Sequence, residues 1–131
     1  MEINFERPFK FKLDVIEIDE RTPAFQVEIN IHIDQCNHKC KYTGEVWIEY
    51  NEWDRFINSL KNDTNKIVYL QSISNNLMLS IETADTSASF KLMISKIDTS
   101  KNSLLIEQKS IIDVDTYSLL KSKFIEFPVW W

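Results

Sequence analysis

The sequence predicts an α+β fold built from antiparallel β-meanders. About seven strands form one curved sheet or two packed sheets, with one helix between the meanders and one C-terminal helix. Three observations predict it. Long stretches alternate apolar and polar residues with period two, as half-buried strands do, whereas two short stretches switch to period 3.6. Gly44 is the only glycine in 131 residues. Loops that cradle phosphates, dinucleotides or oxyanions need several positions with positive φ or no Cβ, so a nucleotide site is not expected. With 44% hydrophobic residues the chain is long enough for one core and too short to suggest two, so residues 1–131 are read as a single globular domain.

Phe9, Phe11, Leu13 and Val15 alternate before the phase slips to Ile16 and Ile18, which predicts a first strand over 9–19 with a β-bulge at Val15 and Ile16. Read as an edge strand, it carries Lys10, Lys12, Asp14 and Glu17. These charges discourage open-edge pairing, and a monomer or weak homodimer is expected. A hairpin follows over 24–35 and 40–50. If Asn37 and His38 form its two-residue turn, Phe25, Val27, Ile29, Ile31 and Ile33 face Tyr50, Ile48, Val46, Gly44 and Tyr42, and Asp34 faces Lys41.

The period then changes. Asn51 is positioned to cap a helix with Trp53, Phe56, Ile57 and Leu60 on one stripe, closing near Asn62. A second meander turns at Asn75-Asn76, placing Leu70 opposite Ile81, and again at Asp85-Thr86, placing Leu77, Leu79 and Ile81 opposite Ile94, Leu92 and Phe90. Met78 then meets Met93 on the other face near Tyr69, so cover is expected on both sides of this block. A last strand runs from about Ser103 to Ile112. The closing helix is expected to start at an Asp115 cap, with a Val114 and Leu119 staple, Leu120, Phe124 and Phe127 on one side, and a stop at Pro128.

The cysteines, Cys36 and Cys40, flank His38 close to His32, which invites comparison with a zinc site. In the hairpin register Cys40 shares a face with Tyr42, and Cys36 lies on the face of His32 and Asp34. Four ligands therefore do not converge, and neither a metal, a cofactor nor a disulfide is expected. With both histidines near one hairpin tip, no Ser-His-acid or Cys-His relay can be assembled elsewhere, so no catalytic residue is assigned and no enzyme is expected.

Net charge is −5, which opposes binding to nucleic acid or anionic membrane surfaces and suits a basic partner protein. The N-terminal run lacks an apolar leader, no stretch is long enough to span a bilayer, and the expected address is cytoplasmic. The outward face of the first hairpin carries Glu28, His32 and Asp34 beside Glu45, Trp47 and Glu49. A tryptophan among carboxylates has the anatomy of a protein-binding hot spot; the alternative is that Trp47 lies under a helix in the core. Trp130 and Trp131 either pack as a terminal staple or expose two indoles.

The run 47–60 (WIEYNEWDRFINSL) leading into the central helix, the phrase 76–82 (NLMLSIE) and the closing helix running into Phe127-Pro128 together resemble the WapI-type and related immunity proteins of bacterial contact-dependent or polymorphic toxin systems. The resemblance implies a protein that neutralises a cognate toxin by occluding its active site or an essential surface. A basic nuclease toxin would suit the acidic chain, with Trp47, Glu28, Glu45 and Glu49 as contact face. Two other readings stay open: a phage or plasmid protein that blocks a host defence complex, and a sugar- or small-ligand-binding module that stacks its ligand on Trp47, Trp130 and Trp131.

Overall fold

The computed structural model describes residues 1–62 and 66–131. Four strands come first: β1 (Glu2–Phe5), β2 (Lys10–Asp19), β3 (Ala24–Gln35) and β4 (His38–Glu49). Helix α1 (Tyr50–Lys61) leads to β5 (Ile67–Gln71), β6 (Leu77–Thr83), β7 (Ala88–Ile97) and β8 (Ser103–Ile112), and α2 (Val114–Ile125) follows. The strands form two antiparallel four-stranded sheets, β1-β2-β3-β4 and β5-β6-β7-β8. The architecture is therefore α+β with eight strands in two sheets. The additional strand is β1, where Ile3 and Phe5 alternate over too few residues to stand out beside Pro8. Because β1 pairs with β2, β2 is an interior strand rather than the expected edge.

The apolar faces of the two sheets meet. Phe5 stacks on Phe11 at 4.8 Å between ring centroids and meets Phe90 of the second sheet edge-on at 5.9 Å, while Phe9 reaches Phe90 at 5.6 Å. Helix α1 buries Trp53, Phe56 and Leu60, and α2 buries Leu120 and Phe124. Phe124 meets Phe56 edge-on at 5.3 Å and lies 6.4 Å from Phe5, so the helices share one apolar cluster with both sheets. Complete burial of a side chain such as Phe56 contributes roughly 1.5–3 kcal/mol relative to exposure.

Both hairpins beside the helix close two residues differently from the expected register. Cys36 and Asn37 form the first turn, with φ of 56° and 62°, the pair of left-handed residues that a type I′ turn requires. Phe25 therefore faces Ile48, Ile29 faces Gly44, Ile31 faces Tyr42 and Asp34 faces Lys39. The ladder ends at Ala24 and Glu49, and one further bond in the same register, from the Tyr50 N–H to the Pro23 carbonyl at 2.9 Å, joins it to the start of α1. In the second sheet Leu70 faces Leu79. Here the connection is a longer loop closed by buried Ser72, whose hydroxyl accepts from the Leu77 N–H at 3.0 Å. Both shifts are even, so each side chain keeps its expected face. From Leu77 to Ile94 the β6–β7 register is the expected one, and Met78 faces Met93.

The helix starts also differ. Glu49, not Asn51, is the N-cap of α1, and it makes no side-chain capping bond. Asp113, not Asp115, caps α2 by accepting from the Thr116 N–H at 2.7 Å. Val114 is then the first helical residue, and it and Leu119 are both exposed, so they form no staple. No described helix covers the outer face of the second sheet, where Tyr69, Leu105 and Ile111 are exposed and Met78 and Met93 half-buried. The expected second cover is not made by the described residues.

Gly44 has an ordinary extended backbone. The absence of its Cβ matters because the Tyr42 phenol lies over it, within contact distance of where a Cβ would stand.

Candidate functional site

The outer face of the first sheet is banded by charge, because paired strands bring like residues into line. Glu2 pairs with Asp14, Asp14 with Glu28, and Glu28 with Glu45, so one row of four carboxylates crosses all four strands. The next row is Asn4, Lys12, Asn30 and Thr43. Its side chains brace the first: Asn30 Nδ2 donates to Glu28 Oε1 at 3.0 Å and Thr43 Oγ1 to Asn30 Oδ1 at 2.7 Å. Lys12 Nζ lies 3.2 Å from Glu2 Oε2. The hydrogen bond and charge of Glu2, aided by Asp14 and Glu28, hold the Lys12 ammonium above its ordinary pKa. A third row, Lys10, His32 and Lys41, is basic.

Beyond the carboxylate row, on the side away from Lys12, the β-bulge at Ile16 aligns Glu17 with Gln26 and Trp47, and then Asp19 with Ala24 and Glu49. Gln26 Nε2 donates to Glu45 Oε2 at 3.1 Å. Trp47 is half-buried on this outer face and not in the core. It lines an open cleft of about 300 Å³ with Asp19, Thr22, Glu45 and Ile73. The Ile73 N–H donates to the Trp47 carbonyl at 2.8 Å, so the β5–β6 loop brings an exposed isoleucine next to the indole. At the rim, Asp19 accepts from the Thr22 hydroxyl at 2.8 Å and the Arg21 N–H at 2.9 Å. These bonds hold its carboxyl below the usual carboxylate range and keep it ionised.

The fold thus brings Trp47, Glu28 and Glu45 together, with Glu49 one outward position along β4. It separates the other two expected residues. His32 is four residues from Glu28, roughly 13 Å along a strand, and stands between Lys10 and Lys41. Asp34 lies near the hairpin tip, lining a larger cleft of about 800 Å³ with Arg7, Lys10 and Lys109. Asp19 and Ile73 line the Trp47 cleft, Glu17 shares its row, and Asp14 and Glu2 extend the carboxylate row away from it across β2 and β1. Their signal lies in which strands pair, which alternation within one strand does not reveal.

Cys36 is exposed in the turn and Cys40 half-buried on the inner face opposite Ile33, while His32 faces outward. Among the described residues no group of three or more His, Cys, Asp or Glu side chains is arranged to hold a metal ion. Trp131 stacks on Tyr50 at 4.3 Å with parallel rings, and its indole N–H donates to Asp54 Oδ1 at 3.0 Å; Trp130 is more exposed and meets Trp131 edge-on at 5.3 Å. No described helix is long and apolar enough to cross a membrane.

Ionised carboxylates accept hydrogen bonds and pair bidentately with guanidinium groups, and a partly exposed indole beside an isoleucine offers an apolar anchor. In combination they place acceptors for cationic groups beside an apolar contact surface. Comparisons with protein-family models, curated proteins and solved structures return no match to this chain.

Proposed function

We propose that the chain is a non-catalytic, protein-binding inhibitor that engages a basic partner through the outer face of its first sheet, as an immunity protein does when it neutralises a cognate bacterial toxin. The observation that carries the reading is the carboxylate row Glu2, Asp14, Glu28 and Glu45 running up to the Trp47 and Ile73 cleft. Aligning four like charges works against folding, so a binding role gives the arrangement a reason that packing does not. The inhibitor and immunity part of the reading draws on the sequence resemblance and on the net charge of −5. Occlusion requires no chemistry from this chain.

The test is capture with the wild-type protein as bait, followed by assay of the purified captured protein. A toxin-like basic protein should be bound and inhibited by the wild type. Trp47→Ala and the double variant Glu28→Lys/Glu45→Lys should keep the wild-type circular dichroism spectrum while binding at least tenfold more weakly, the charge variant mainly through slower association. Equal binding by both variants, or binding without inhibition, would refute the reading.

A further inference from the structure

Strand β8 is a long sheet edge that no other described segment covers. It pairs with β7 alone, and among the described residues no other backbone hydrogen bond reaches it. The other edges differ. Strands β1 and β5 have four and five residues. Helix α1 also occupies β5, with Arg55 Nη2 donating to the Tyr69 carbonyl at 2.8 Å and Glu52 Oε1 accepting from the Gln71 N–H at 3.1 Å. Strand β4 is longer, at twelve residues, but its Trp47 carbonyl is taken by Ile73 and its outer face carries exposed Lys39, Lys41 and Glu45. Strand β8 runs for ten residues and exposes Leu105 and Ile111 at 63% and 70% on one face. Such an edge is a template for another strand.

We infer that the occupant is a second copy of this chain, joined as an antiparallel β8–β8 pair about a two-fold axis at Gln108. The sequence of the strand complements itself in that register. Pairing Gln108 with its copy places Glu107 opposite Lys109 and Leu105 opposite Ile111, and repeats both pairs across the axis. The neighbouring symmetric registers fail. A shift of one residue in the centre sets Glu107 against its own copy and Leu105 against Lys109 in one direction, and Lys109 against its own copy and Ile111 against Glu107 in the other.

Charges within the protomer favour the same arrangement. Lys91 lies directly across the β7–β8 ladder from Lys109 and reaches diagonally to Glu107, Nζ to Oε1 3.1 Å. A Glu107 supplied by the second copy gives Lys109 the anionic neighbour that its own ladder lacks. On the inner face Gln108 Nε2 donates to Gln35 Oε1 at 2.5 Å, which engages its side chain and leaves the backbone edge to the second copy. The product is a continuous eight-stranded sheet, with the carboxylate face of each first sheet still open. The inference does not depend on the proposed partner.

Sedimentation equilibrium of the purified full chain across a range of concentration tests it, with a charge swap to read the register. The wild type should dimerise. Glu107→Lys and Lys109→Glu should each weaken the dimer at least tenfold by setting like charges opposite, and the double swap Glu107→Lys/Lys109→Glu should restore it. Lys109→Glu separates association from folding. It gives Lys91 an opposite charge across the ladder, so its monomer should be no less stable to denaturant than wild type. A wild-type chain that stays monomeric to millimolar concentration, single variants that dimerise normally, or a double swap that fails to restore the dimer would each overturn the inference.

Discussion

Replacing Glu28 by glutamine should stabilise the free protein. Glu28 has Asp14 directly opposite on one neighbouring strand and Glu45 directly opposite on the other. Charged ends about 6 Å apart repel by about 0.7 kcal/mol per pair in a water-like dielectric, while Lys12, diagonal to Glu28, returns part of that as attraction. The net penalty is about 1 kcal/mol at low ionic strength. It falls to about half that at physiological salt, where the Debye length is ~8 Å, and nearly vanishes at 1 M. Glutamine is nearly isosteric, and its Oε1 can still accept from Asn30 Nδ2, so the change isolates charge from packing. In urea titrations Glu28→Gln should be about 1 kcal/mol more stable than wild type in 10 mM salt and within error of it in 1 M NaCl. A matched rise in Tm of roughly 3–5 °C should appear at low salt. Destabilisation, or a gain that persists unchanged at 1 M, would refute the claim that the row is a repulsive arrangement maintained at the expense of stability.

Two further outcomes are expected. Gly44→Ala should lower stability by about 1–3 kcal/mol by forcing the Tyr42 ring off the strand, and much less in a Tyr42→Ala background; the double-mutant cycle in urea measures the difference. Asp113 has its carboxyl pKa lowered in the fold, first by the Thr116 backbone N–H it caps, so its contribution is present above the unfolded carboxylate pKa and is lost as pH falls through the lower folded value. Asp113→Asn keeps a capping oxygen without the titration, so the fall in Tm below about pH 4 should be shallower than in wild type; an identical acid limb would refute the assignment of Asp113 as the titrating cap.

Periodicity made most of this fold legible and fell short where the deciding interaction lies outside a single strand. The buried stripe of α1, the β6–β7 register and the limits of β8 follow from spacing alone. The two shifted hairpins do not. The first follows from a type I′ turn at Cys36 and Asn37, one residue earlier than expected, and the second from a loop closed by the buried hydroxyl of Ser72, and neither leaves a periodic trace. Because both shifts are even, Trp47, Glu28 and Glu45 face outward in the expected and the observed register alike. Alternation does not reveal Asp14 and Glu17 as their neighbours, because the pairing of β2 with β3 is a tertiary fact. The same holds for the edge of this sheet, where Glu2–Phe5, too short to stand out by alternation, covers the strand that follows it.

The bulge at Ile16 acts as a phase shifter. Were β2 to continue in the register of Val15 and Val27, Glu17 would lie opposite Phe25, which is fully buried and packed 5.7 Å edge-on against Trp53. Leaving Ile16 unpaired turns that carboxylate outward into line with Trp47. The constraint therefore falls on the bulge and not on the side chain it carries: many side chains can stand at the exposed position 16, and a chain lacking it would close into a regular ladder with Glu17 still opposite Gln26, but a strand that kept the residue and paired it with Gln26 would drive a charge into the aromatic interior.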